Sequence, residues 1–90
     1  MFDGIRNFFA RRAMRRRIAA LSTAERERIL AASNLEAAGF QGEGFHVFRK
    51  DIADTNQAYV CSLGEIATAD AEDWIIARYL DEEDRRGLPK

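Results

Sequence analysis

Residues 45–63, FHVFRKDIADTNQAYVCSL, decide whether this chain is all-helical or mixed. Phe45–Lys50 and Gln57–Leu63 are rich in aromatic and β-branched residues, the composition of half-buried strands. Phe45 and Val47 fall on one face of the first segment, and Tyr59, Cys61 and Leu63 on one face of the second. Between them, DIADTN at 51–56 supplies turn formers, so the expected pairing is an antiparallel hairpin with a long loop, with residues 65–67 extending its second strand. Two strands alone are marginal in water. The hairpin must therefore lie on helices or pair with another edge.

Immediately upstream, Ser22 and Glu25 have the spacing of a capping box, which starts a helix. Restarting the helical phase there puts Ile29, Leu30, Ser33 and Ala37 on one face. Gly39 at C′ and Phe40 at C″, packing on Leu35, read as a Schellman stop, so this helix is expected over 22–38. Residues 41–44 then form a glycine-punctuated connection to the hairpin.

Further upstream, MFDGIRNFFARRAMRRRIAAL at 1–21 reads as one basic amphipathic helix. A wheel places Phe2, Ile5, Phe9, Ala13 and Ala20 in one sector with Phe8 on its flank, and Met14, Ile18 and Leu21 in a displaced second stripe. Gly4 weakens the first turn.

Downstream, Thr68 is expected to cap a helix over 68–86 whose first turn carries Asp70, Glu72 and Asp73. Its apolar stripe is Ala71, Trp74, Ile75, Ile76, Tyr79 and Leu80, and Arg85, Arg86, Gly87 and Pro89 end it. Asp81, Glu82, Glu83 and Asp84 stand near the end of this helix, where its dipole disfavours negative charge. Pairs to Arg85 and Arg86 at i,i+4 offset part of that, and arginines of the first helix are expected to meet the rest.

The fold expected is thus α+β, a small single domain over 1–90 in the order α-α-β-β-α, with an antiparallel hairpin over 45–63 packed against helices. No repeat, low-complexity tract or dividing linker interrupts it. With 47% hydrophobic residues the chain can build a core. At this length about 60–65% of the unfolded surface is buried, so most of the phenylalanines should be inside. Uninterrupted apolar runs fall well short of the ~20 residues of a membrane span, and no secretory leader is expected at the N-terminus. The lone cysteine excludes an internal disulfide, making a cytoplasmic compartment the expectation. The dominance of arginine over lysine and the abundance of alanine point to a GC-rich, bacterial genome.

The net charge of −1 hides a division. Arg6, Arg11, Arg12, Arg15, Arg16 and Arg17 against Asp3 give residues 1–21 a charge of +5, whereas residues 22–90 carry 8 basic and 14 acidic side chains. The basic helix either serves an outside partner or neutralises its own domain.

Specific chemistry is sparse. His46 is the only histidine, which excludes paired-histidine metal sites. His46, Cys61 and Asp51 or Asp54 form a nominal Cys/His/Asp set, but Cys61 sits in mid-strand, which favours a buried small hydrophobe. Asp51, Asp54 and Asn56 lack the spacing of a calcium loop and read as turn residues. Gly39, Gly42 and Gly44 do not match a nucleotide fingerprint, and Glu43 would repel phosphate.

No catalytic residue, metal or cofactor is expected. The composition favours a non-enzymatic interaction or adaptor protein, regulatory in character, that binds another macromolecule through charge-complementary surfaces. Arg6, Phe8, Arg11, Arg12, Arg15, Arg16, Arg17, Asp81, Glu82, Glu83 and Asp84 are its candidate contact residues. A protein partner or self-association is the first expectation. Nucleic acid bound by the arginine-rich helix, or an anionic membrane surface that takes its phenylalanines, are the alternatives.

Overall fold

The computed structural model describes residues 12–87. They form α1 (Arg12–Ala19), α2 (Thr23–Ala32), β1 (Leu35–Phe40), β2 (Gly44–Arg49), the short α3 (Thr55–Ala58), β3 (Tyr59–Gly64) and α4 (Thr68–Gly87). The α+β class holds, in the order α-α-β-β-α-β-α. Residues 1–11, and with them Phe2, Ile5, Phe8 and Phe9 of the expected first stripe, lie outside the described residues.

The break between α1 and α2 falls where the capping box places it. Ser22 Oγ accepts from the Glu25 N–H at 3.1 Å, and Glu25 Oε1 accepts from the Ser22 N–H at 3.1 Å. The predicted end of α2 is wrong. The helix stops at Ala32, not at residue 38, and Leu35–Phe40 is a strand. Ser33 closes the helix as its C-cap, its N–H bonding the Ile29 carbonyl, while its hydroxyl accepts from the Leu35 N–H at 3.1 Å. Lys50 Nζ donates to the Leu30 carbonyl at 3.0 Å, satisfying one of the carbonyls left open at the end of α2. Gly39 lies within the strand, and the positive-φ glycines are Gly42, Gly44 and Gly64.

The sheet is antiparallel throughout, in the order β1-β2-β3. The pairing of β2 and β3 is as expected, but α3 takes part of the loop and residues 57–58 of the expected second strand, residues 65–67 do not extend that strand, and β1 adds a third. β1 and β2 pair in unbroken register from Leu35–Arg49 to Phe40–Gly44, whereas the β2–β3 register shifts between Phe45 and His46 and again between Val47 and Phe48. These bulges correct one expectation about facing. Cys61 stands opposite Val47, but the extra residue Val60 rotates Tyr59 to stand opposite Phe48, so Tyr59 and Cys61 do not share a face.

The long helix α4 is the central element. On one flank, Ile76 and Leu80 join Ile18 of α1 and Ile29 of α2 in a buried cluster, with Met14, Leu21, Leu30, Ala77 and Tyr79 packed around it. The Met14/Ile18/Leu21 stripe therefore faces the core. Ala71 and Ile75 are buried outside that cluster, α4 also packs against β1, and Val47 on the central strand is fully inaccessible. At the start of α4 the Ala67 carbonyl receives the Ala71 N–H at 3.1 Å, which puts Ala67 at the cap and Thr68 in the first turn instead of at the cap.

Candidate functional site

Alternation along β2 sends Val47 into the core and His46 and Phe48 to the opposite, solvent-facing side of the sheet. β1 adds Phe40 to that side, and the bulge at Val60 adds Tyr59. The four rings touch in a chain: Phe40–His46 at 5.2 Å between centroids, His46–Tyr59 at 6.0 Å, Tyr59–Phe48 at 6.0 Å and Phe48–Phe40 at 6.3 Å. Separations and tilts of this kind are those of favourable edge-to-face aromatic contacts. Phe40 is 43% exposed and Tyr59 47% exposed.

One hydroxyl ties the cluster together. Ser62 Oγ lies 2.7 Å from His46 Nδ1 and 2.5 Å from Tyr59 Oη. A hydroxyl can donate one hydrogen bond and accept others, so Ser62 can serve both neighbours at once, anchoring the His46 ring and the Tyr59 hydroxyl. The surface is thus aromatic, half open and ordered before any ligand arrives. Glu36, opposite Phe48 in register, is the charged residue that β1 contributes to it.

The nominal Cys/His/Asp set is not assembled. His46 belongs to the aromatic face, and Cys61 is aligned with Val47 on the other side of the sheet. Burial pushes the Cys61 thiol above its ordinary value, an effect that Arg78 only partly counters, so the sulfur is kept as a thiol and not as the nucleophilic thiolate. Asp51 is held in a fork by Arg49, with Nη2–Oδ2 at 2.7 Å and Nε–Oδ1 at 3.1 Å, and it accepts from Asn34 Nδ2 at 2.8 Å. Those bonds, the Arg49 one first, hold its carboxyl below the usual carboxylate range. Asp54 caps α3, accepting from the N–H groups of Asn56 and Gln57. Both aspartates do the turn work read from the sequence. Among the described residues no group of three or more His, Cys, Asp and Glu is placed to hold a metal ion.

No protein-family model, curated protein or solved structure matches the chain.

The charged candidates divide. Arg6, Phe8 and Arg11 lie outside the described residues. Arg12, Arg15, Arg16 and Arg17 line an exposed side of α1, and Arg17 Nη1 reaches Asp84 Oδ2 at 2.8 Å, as the misplaced carboxylates suggested. Asp81 pairs with Arg85 at 3.2 Å one turn on. Glu82 and Glu83 line an open groove of about 490 Å³ with Ser33, Asn34, Arg49 and Arg78. An ion pair that the sequence did not single out joins α2 to α4, where Arg26 Nη1 lies 2.7 Å from Asp73 Oδ1. Among the described residues no helix is long and apolar enough to cross a membrane.

The aromatic face was not singled out from the sequence either. Its signal is the alternation of 45–48, in which His46 and Phe48 oppose Val47. The sequence reads Phe40 as part of a helix stop and Tyr59 as sharing a face with Cys61 and Leu63, which does not bring the four rings together.

Proposed function

We propose that the protein is a small non-enzymatic interaction module, an adaptor or regulatory element, that binds a protein partner through the aromatic face of its sheet. The observation that carries this reading is the ring chain Phe40–His46–Tyr59–Phe48, ordered through Ser62 and half exposed. Rigid aromatic side chains supply large contact area at low entropic cost, which is why they dominate the energetic centres of protein interfaces. A small domain that must bury apolar surface gains little from leaving them wet.

Charge selects the class of partner. Nucleic acid also stacks on aromatic platforms, but it needs a basic surround for its phosphates. Here Glu36 shares the face, and residues 22–90 carry 14 acidic against 8 basic side chains. An apolar protein surface with a basic rim fits better. The exposed arginines of α1 and the acidic end of α4 belong to the helical side of the domain and offer long-range charge steering, which affects association rate more than affinity. A part-buried thiol and no disulfide suit a reducing, cytoplasmic setting.

The test is affinity capture from cell lysate on the immobilised full chain, run beside the Phe40→Ser/Tyr59→Ser double variant and the Arg12→Ala/Arg16→Ala double variant. The reading expects a protein retained by the parent, lost with the aromatic variant and still retained, more slowly loaded, by the arginine variant. Identical captured sets on parent and aromatic variant contradict it, as does retention that is salt-sensitive, nuclease-sensitive and abolished by the arginine changes.

A further inference from the structure

Strand β1 has one edge of its backbone without a partner among the described residues. The Lys50 N–H donates to the Asn34 carbonyl at 2.7 Å, which makes Asn34 and Lys50 a hydrogen-bonded pair of the antiparallel ladder. Counting by twos, Glu36–Phe48, Ala38–His46 and Phe40–Gly44 belong to the same class, so the backbone groups of Leu35, Ala37 and Gly39 point away from β2. The Leu35 N–H is taken by Ser33 Oγ. The Leu35 carbonyl and both groups of Ala37 and Gly39 have no hydrogen-bond partner among the described residues.

Sheet proteins guard such edges with lysine, proline, bulges or inward-pointing charge. β1 has none of these: its sequence is LEAAGF, its register with β2 is unbroken, and its one charge is Glu36. The opposite edge, β3, carries two bulges. The guarding is one-sided.

We infer that β1 is the interface for a second copy of this chain, the two β1 strands pairing antiparallel about a two-fold axis through Ala37 to make one six-stranded sheet. In this register Ala37 faces its own copy and Leu35 faces Gly39 of the second copy, so every new hydrogen-bonded pair joins residues whose backbone groups point outward, with the Leu35 N–H keeping its bond to Ser33 Oγ. Glu36 faces Ala38 of the second copy, and no like charges stand directly opposite. Ala37, Ala38 and Gly39 put no bulky side chain beside the new pair, whose backbone hydrogen bonds set the usual spacing of about 4.8 Å. Ala37, Ala38 and Gly39 themselves give a foreign strand little side-chain surface to read, and side-chain pockets are where peptides added to a sheet edge acquire specificity. The axis stands perpendicular to the sheet, so both aromatic faces end on the same side of the dimer. A six-residue edge buries well under the ~800 Å² per partner of a standard interface, so the association is weak and concentration-dependent. It does not depend on the aromatic face having a protein partner, and the two ideas can fail separately.

Residue-resolved amide hydrogen exchange of the full chain at micromolar and at millimolar concentration, with sedimentation alongside, tests it. Expected are a monomer turning to a dimer with concentration, and exchange at Ala37 and Gly39 slowing by about tenfold or more while Glu36 and Ala38, bonded within the monomer, do not change. Ala37→Pro removes an outward N–H without touching the β1–β2 ladder and should stay monomeric throughout. Should that variant not fold, the exchange pattern of the parent decides alone. A parent that is monomeric at millimolar concentration, or a dimer whose new protection lies away from Ala37 and Gly39, overturns the inference.

Discussion

Arg17 of α1 and Asp84 of α4, 67 positions apart in sequence, meet in a two-pronged contact in which Nη1 lies 2.8 Å from Oδ2 and 3.1 Å from Oδ1. The arginine-rich segment is thus in part a structural element, with the charge of Arg17 set against the acidic end of its own domain. Both side chains are about half exposed, at 46% and 52%, so the pair is screened by water. Arg17→Ala should lower stability by no more than about 0.2–1 kcal/mol, less in high salt. Urea unfolding at two salt concentrations checks this.

The helical cluster carries far more. Ile76 is fully buried between α1, α2 and α4, with Ile18 and Ile29 beside it. Ile76→Ala leaves a cavity and should cost about 2–5 kcal/mol, a large share of the stability of a domain this small. Thermal unfolding should show a fall in Tm several times larger than that for Arg17→Ala.

Two glycines with nearly the same φ should respond very differently to the same change. Gly42 has φ +81° with nothing near the missing Cβ, whereas Gly44 has φ +83° and a Cβ there would lie 2.1 Å from the Gly64 carbonyl. Gly42→Ala should cost only the left-handed strain, on the order of 1–2 kcal/mol. Gly44→Ala must also push β2 and β3 apart, and it should fail to fold or lose most of its sheet signal in circular dichroism.

Acid should weaken the fold through two carboxylates. The Ser22 N–H bond holds Glu25 below the usual carboxylate range, and the Arg49 fork does the same for Asp51. Because both pKa values are lower folded than unfolded, their stabilisation is full above the ordinary carboxylate range and is lost as pH falls through the folded values. Asp51→Asn should flatten the acid limb of a stability–pH profile. An unchanged limb would show that Asp51 contributes nothing to it.

The sequence was legible where the signal was local. The capping box at Ser22, the β2–β3 pairing and the grouping of Met14, Ile18 and Leu21 on one stripe follow from spacing and periodicity, whereas charge alone points to arginines of the first helix meeting residues 81–84 without singling out Arg17 and Asp84. β1 was missed because LEAAGF offers two alanines that suit a helix, followed by a glycine and an apolar residue that imitate a helix stop. What decides it is non-local: Val47 becomes fully buried on a central strand, with Ala37 on one side and Cys61 on the other, and Ser33 supplies the hydroxyl that ends α2 early. The aromatic face was hidden for a related reason. The bulge at Val60 shifts Tyr59 to the other side of the sheet, and no period-two reading of β3 contains that shift.

The central claim is that the aromatic face is covered by a protein partner, and Tyr59 reports on it directly. Tyrosine-selective labelling of the purified chain should modify the exposed Tyr59 readily and the half-buried Tyr79 of α4 more slowly. In lysate from cells of the source organism Tyr59 should become protected while Tyr79 does not change, and Phe40→Ser should abolish that protection. Pairing of β1 edges leaves Tyr59, on the far strand, open, so self-association cannot mimic the result. Equal labelling of Tyr59 in the purified chain and in lysate would contradict the account.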